Sequence, residues 1–172
     1  CCRRQDKREV TIKMVAIKQT GINIIKIGAG IESPEIVEKL TKIHNENFEE
    51  KKNESYFLEI LNNDLYDVYC LSEEKTSEIS GYVVFYDTFD STDLFEIAVL
   101  KKKQGKGYGN ALLKYTADIF CKSGRKIFLE VNENNEKAIK LYEKNGFEEI
   151  SVRKNYYGNN QNAVIMMKNE DI

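Results

Sequence analysis

The stretch from residue 94 to residue 131 constrains this chain more than any other. A β-branched and apolar run at 94–99 leads into a loop with Gly105, Gly107 and Gly109. A helical stripe of Leu112, Leu113, Thr116, Ile119 and Phe120 follows, then a second apolar run at 127–131. Strand, loop, helix and strand in this order make a crossover unit, which places its two strands parallel and turns right-handed. Gly124 stands where a helix-ending residue must adopt the left-handed conformation. The glycine loop is a cradle for phosphate, because the first N–H groups of a helix lack intrahelical partners and the helix dipole is positive at that end.

The remaining elements are read from periodicity. Residues 22–27 form an apolar strand broken by Gly28-Ala29-Gly30. Ser33 offers an N-cap before Pro34, and Ile36, Val37, Leu40 and Ile43 carry a helix to about Phe48. A short helix at 56–61 precedes strands at 68–71, 81–87 and 94–99, which read as an antiparallel meander. After the strand at 127–131, a helix bears Ala138, Leu141 and Tyr142 on one stripe and ends at Gly146. Runs at 147–152 and 163–167 then close a hairpin around Gly158-Asn159-Asn160. The predicted fold class is α+β: a mixed, mostly antiparallel sheet with one parallel strand pair, flanked by helices.

The sequence also limits the function classes. Its 172 residues suit one domain, and a formal net charge of −2 argues against a general nucleic-acid or membrane-surface binder. No apolar run approaches the roughly 18 residues of a membrane span, so a cytoplasmic protein is expected. Cys1, Cys2, Cys70 and Cys121 form no CxxC pair, so no metal site is expected. His44, the only histidine, reads as a surface residue of the first helix. Residues 1–20 form a basic N-terminal extension that opens with Cys1, with Met14 as an alternative start. It is expected to be disordered or artefactual, with an RNA-binding tail as the functional alternative.

Two familiar phosphate loops fail. A Walker A loop needs a glycine where Leu100 stands and Ser or Thr where Gly107 stands. The dinucleotide fingerprint places its third glycine on Asn110 or Leu112, and the chain has no room for a doubly wound sheet plus a substrate domain. The pattern Gln104-Gly105-Lys106-Gly107-Tyr108-Gly109 instead resembles the (Arg/Gln)-x-x-Gly-x-(Gly/Ala) loop of the GNAT family of N-acetyltransferases. Asn135, Ala138, Leu141-Tyr142-Glu143 and Gly146-Phe147 match that family's second signature, and the resemblance spans residues 22–168. Leu129-Glu130-Val131, Leu141-Tyr142-Glu143 and Arg153-Lys154-Asn155-Tyr156-Tyr157 are most similar to the ribosomal-protein-alanine N-acetyltransferases of the RimI type. Asn132, Gln161-Asn162 and the absence of Pro-Trp after Phe48 depart from that subfamily, all on the acceptor side.

The resemblance makes residues 21–172 an acetyltransferase domain and implies acetyl-CoA as cosubstrate. Its pyrophosphate is expected at Gln104, Gly105, Lys106, Gly107, Tyr108, Gly109 and Asn110, and its pantetheine arm along Ile97, Ala98 and Val99. Asn135 is expected to bond the cofactor and cap its helix, and Lys101, Lys102 and Lys103 offer charge for the 3′-phosphate. Glu130 is the implied base, with Glu96 as competitor; burial in an apolar strand would strengthen Glu130 in that role. Tyr142 is the implied acid for the thiolate, and Tyr156 and Tyr157 the aromatic wall for the acceptor. The implied reaction is acetyl transfer to a protein N-terminal amine, the alanine of a ribosomal protein, by direct attack in a ternary complex. A monomer without membrane or specific nucleic-acid partners is expected. The alternatives are a GNAT enzyme for a small-molecule amine and a non-catalytic CoA-binding module.

Overall fold

A computed structural model describes residues 14–17, 21–28, 33–158 and 160–169. Most of the basic extension, Ala29, Gly30 and Asn159 lie outside the described residues. Strands β1 (Met14–Ile17) and β2 (Ile22–Ile27) lead to helices α1 (Pro34–Asn47) and α2 (Glu54–Leu61). Strands β3 (Tyr66–Glu73), β4 (Ile79–Asp87) and β5 (Ser91–Val99) form the meander. Then follow α3 (Tyr108–Lys122), β6 (Lys126–Asn132), α4 (Glu136–Lys144), β7 (Glu148–Arg153) and β8 (Ala163–Lys168). Among the described residues one sheet of order β1-β2-β3-β4-β5-β6-β8-β7 contains all eight strands, and only β5 and β6 run parallel. The mixed sheet with one parallel pair is as the sequence led us to expect.

Alternation along the strands divides the core between two faces. Val83, Phe85, Leu94, Ile127 and Leu129 pack against Leu112, Leu113, Ala117 and Phe120 of α3. On the opposite face Val68, Cys70, Tyr82, Val84 and Ala98 meet Val37, Leu40 and Ile43 of α1 and Phe57 and Ile60 of α2. The sheet is therefore the middle of three layers, and a strand such as β5 must serve both cores. Strand ends differ from expectation mainly by length: β3 and β5 begin two and three residues before the predicted 68 and 94, where polar side chains hide the period. Ser33 precedes α1 as expected, but it contributes its carbonyl, which accepts from Ile36 and Val37 N–H at 3.0 and 3.2 Å, and its side chain makes no cap bond.

The feature that positions a site is the brevity of the parallel pairing. It covers only Ser91↔Lys126, Thr92↔Ile127 and Asp93↔Phe128, after which β5 and β6 diverge. Residues 94–99 stay paired to β4 with a bulge opposite Val84/Phe85, while 129–132 stay paired to β8. A wedge opens between the two strands, with the glycine loop and the start of α3 at its wide end.

Candidate active site

The wedge is a cavity of about 1150 Å³. Glu96, Ile97, Ala98 and Val99 line one wall and Glu130, Val131 and Asn132 the other. Gln104, Gly105, Gly107, Tyr108, Gly109 and Asn110 close the loop end, with Asn135 and Tyr142 from the α4 side and Tyr157 from the β7–β8 hairpin. Lys106 and Tyr156, also predicted for the site, are not among its lining residues.

At the loop end, Gly105 and Gly107 have φ of +77° and +83°, and a Cβ at either would meet nothing within 4 Å. Glycine is required there by the backbone and not by space. Gly107 is the N-cap of α3 and brings no side-chain acceptor, so the first-turn N–H groups stay available for a ligand in the cavity. The loop is braced from both flanks. Lys103 Nζ and Tyr108 Oη donate to Glu73 Oε1 at 2.6 and 2.7 Å. The Lys103 hydrogen bond and then that of Tyr108 hold the Glu73 carboxyl below its ordinary range. The same Glu73 contact pushes the Lys103 ammonium and the Tyr108 phenol upward. On the other flank Gln104 Nε2 donates to Asn47 Oδ1 at 2.7 Å and to the Val99 carbonyl at 3.2 Å, while Lys137 Nζ donates to Gln104 Oε1 at 3.0 Å. Asn47 Nδ2 donates to the same Val99 carbonyl at 3.0 Å. Asn47, Glu73 and Lys137 were not singled out from the sequence, because each acts on a partner more than 25 residues away. Asn135 caps α4, its Oδ1 accepting from Ala138 N–H at 3.2 Å.

At the narrow end the carboxylates behave differently from expectation. Alternation does place Ile127, Leu129 and Val131 inward and Glu130 on the opposite face. Yet Glu130 is not buried: its side chain is 31% exposed, and Arg153 Nη1 lies 2.9 Å from its Oε1. The expectation that burial would make it a stronger base is therefore corrected; the cause is that β5 has already parted from β6 beside it, so its face opens onto the cavity. Asp93 shares this neighbourhood, and burial, then the charge of Glu130, raises its carboxyl. Tyr142 is 7% exposed, its ring edge-on to Phe147 at 5.8 Å. Burial, then Tyr157, pushes its phenol up to about 12. Burial first, then Glu130 and Tyr156, also raise Tyr157. Of the paired tyrosines only Tyr157 faces the cavity; Tyr156 lies edge-on to it at 5.0 Å beneath the Arg153 guanidinium.

His44 is a clear correction. It is 3% exposed, with Nδ1 at 2.8 Å from Glu96 Oε1 and Nε2 at 3.0 Å from the Glu50 carbonyl. A carbonyl only accepts, so Nε2 carries a proton, and a second proton is held between Nδ1 and the carboxylate. Tyr56 Oη donates to Glu96 Oε2 at 3.1 Å, and Tyr82 Oη donates to Oε1. Burial, then the Glu96 charge, pushes both phenols upward. The signal was present: His44 is four residues from Leu40 and seven from Val37, hence on the buried stripe of α1. Glu96 lines the cavity, but His44, Tyr56 and Tyr82 engage three of its roughly four lone-pair sites, which leaves it less capacity than Glu130, with its single Arg153 contact, to take a proton from a substrate.

Residues 37–147, more than half of the chain, match the Acetyltransferase (GNAT) family. The [ribosomal protein bS18]-alanine N-acetyltransferase of Haemophilus influenzae is 39% identical over 97 residues, which cover 54% of this chain and 66% of that protein. Its counterpart in Escherichia coli K12 is 35% identical over 96 residues, covering 54% and 65%. The matched segments thus span just under two thirds of those relatives. The crystal structure of the ribosomal-protein-S18-alanine N-acetyltransferase from Escherichia coli superposes with a TM-score of 0.75 at 26% identity, covering 88% of this chain and 95% of that one.

Proposed function

The chain belongs to the GNAT family of acetyltransferases, and from that premise we propose that it transfers acetyl from acetyl-CoA to the N-terminal α-amine of a protein, the alanine of a ribosomal protein. The observation that carries this reading is the single cavity joining an open helix N-terminus at one end to Glu130, Tyr142 and Tyr157 at the other. The likeness to the S18-alanine enzymes supports the acceptor. The reading makes it a cytoplasmic, monomeric enzyme working through a ternary complex.

The residues at the wide end fit a pyrophosphate, since loop and first-turn N–H groups converge there without a side-chain cap. Acetyl-CoA supplies a thioester carbonyl as electrophile. The backbone of β5 from Ile97 to Val99 is unpaired on its β6 side, and apart from the Val99 carbonyl, which Asn47 and Gln104 engage, it offers an edge for an amide-bearing arm to join as a further strand. In the transfer the amine nitrogen forms a bond to the carbonyl carbon, and the carbon–sulfur bond breaks with its electron pair leaving on sulfur as the CoA thiolate. The nitrogen's proton passes to the Glu130 carboxylate or to solvent, from which the thiolate is in turn protonated.

The proton inventory favours an α-amine over lysine. Making an α-amine of ordinary pKa neutral at pH 7 costs about 1 kcal/mol, against roughly 4.6 kcal/mol for lysine. A solvent-accessible carboxylate such as Glu130 can meet the first demand directly or through one water. Tyr142, at about 12, remains protonated throughout the working range. Full transfer to a thiolate of pKa near 8.5 would be uphill by about 5 kcal/mol, so its role is to donate a hydrogen bond to the departing sulfur.

The test is incubation with acetyl-CoA and a panel of Ala-, Ser- and Met-initiated peptides and polyamines, read by intact mass. Acetylation at the peptide N-terminus, with alanine preferred, is expected. Turnover of polyamines alone, or acetyl-CoA binding without CoA release on any amine, would overturn the reading.

A further inference from the structure

Arg153 belongs to the hairpin motif of the sequence, yet nothing in the reaction above uses it. It ends β7 opposite Ala163, which in turn pairs with Asn132 of β6. Ser151 and Glu130 flank the same residue, Ile165, so Arg153 lies on the face of Glu130 but two strands away. Neighbouring strands are about 4.8 Å apart, so only a long side chain can bridge that gap. The guanidinium does so, with Nη1 at 2.9 Å from Glu130 Oε1, and its Cζ lies 4.8 Å from the centre of the Tyr156 ring. Tyr156 is packed edge-on against Tyr157, which lines the cavity beside Glu130 and Tyr142. Arg153 itself is not among the lining residues.

The far side of the hairpin is tied as well. Asn162 donates from its backbone N–H and its Nδ2 to the two carboxylate oxygens of Glu133, at 3.0 and 2.9 Å. The turn between these ties is tight, with Asn155 at φ +56° and its N–H donating to Asn162 Oδ1 at 3.0 Å. Two carboxylates of β6 and the turn after it thus hold a segment that would otherwise project from an edge strand whose six residues are all exposed. Arg153 is half exposed, and an exposed ion pair contributes little to folding. Its contacts are local: the Tyr156 ring on one side and the Glu130 carboxylate on the other.

We propose that Arg153 is a positioning residue for the acceptor, holding Tyr157 against the acceptor end of the cavity through Tyr156 and orienting the Glu130 carboxylate, without itself touching either substrate. The proposal rests on the reading of this cavity as an acetyl-transfer site. It assigns Arg153 to acceptor binding and not to the wide end, where acetyl-CoA would bind.

The experiment compares wild type, Arg153→Met and Arg153→Lys on the acceptor that wild type uses best in the peptide and polyamine panel. That panel decides the reading of the function; the variants decide the inference, whichever amine is used. Losing both the stack and the ion pair should raise the acceptor KM about tenfold for Arg153→Met, with kcat within about threefold and acetyl-CoA affinity by calorimetry unchanged. Lysine keeps the charge but not the planar fork, so it should recover part of that loss. An unchanged acceptor KM in Arg153→Met, a parallel loss of acetyl-CoA affinity, or a lysine variant as impaired as methionine would each overturn the proposal.

Discussion

Glu130 and Tyr142 make unequal demands on their surroundings. In the proposed reaction Tyr142 needs to be dry, because a hydrogen bond to a leaving sulfur would matter only where water does not compete, and Tyr142 is buried against Phe147. Tyr142→Phe should lower kcat and kcat/KM together, by about 10²- to 10³-fold, the scale of losing one transition-state hydrogen-bond donor, with acetyl-CoA affinity nearly unchanged in calorimetry. Glu130 needs only to reach a mildly acidic ammonium from a wet position. The deficit of Glu130→Gln should therefore shrink as pH rises from 7 toward 9, where a peptide α-amine is already neutral. An equal deficit at both pH values would mean that Glu130 orients the acceptor and takes no proton. That Glu130 and Tyr142 meet at one cavity was legible in their motifs, whereas their exposure was not: the Arg153 bridge across β8 depends on which strands become neighbours, and the chain order 6-7-8 becomes 6-8-7 in the sheet.

At the scale of elements, local signals carried most of the fold. Pro34, Gly124 and Gly146 bound helices through φ preferences that belong to single residues, and the glycine loop announced the crossover. Replacing Gly107 with Val should weaken acetyl-CoA binding by at least tenfold in calorimetry while the far-UV spectrum is kept, since a β-branched residue resists φ +83° even where space is free. What stayed hidden were the bonds between elements. The pairing of His44 with Glu96 joins α1 to β5 over 52 residues of sequence, and no local pattern announces a partner at that distance. Because the pair is buried at 4% and 8% side-chain exposure, removing one member strands the other's charge. His44→Ala should cost about 3–5 kcal/mol in urea unfolding, far above the 0–1 kcal/mol of an exposed pair. A cost under 1 kcal/mol would show that the Glu96 carboxylate is satisfied by Tyr56 and Tyr82 alone.

Across the whole molecule, charge is unevenly divided. Residues 101–106 carry Lys101, Lys102, Lys103 and Lys106 and no acid, at the end where the pyrophosphate would lie. Residues 53–100 carry eleven Asp and Glu against Lys75 alone. Lys26, Lys39, Lys103 and Arg125 pair with Asp67, Glu78, Glu73 and Asp87, but Glu54, Glu59, Asp64, Asp90 and Asp93 have no ion pair among the described residues. Some of this negative charge flanks the acceptor end: Glu59 lines a small groove with Tyr56, Tyr66 and Phe95, and Phe95 also lines the main cavity. A net charge of −2 conceals this division, because opposite signs cancel in the total while each end keeps its own field. Acceptor peptides with Lys or Arg behind the first residue should therefore show a lower KM than neutral ones of the same first residue. Because the Debye length falls from about 10 Å at 0.1 M salt to about 3 Å at 1 M, that advantage should shrink severalfold over this range while the neutral peptide's KM hardly moves. Equal salt dependence for both peptides would place the preference in contacts and not in the field, and Glu59→Gln would then leave the two KM values in the same ratio as wild type.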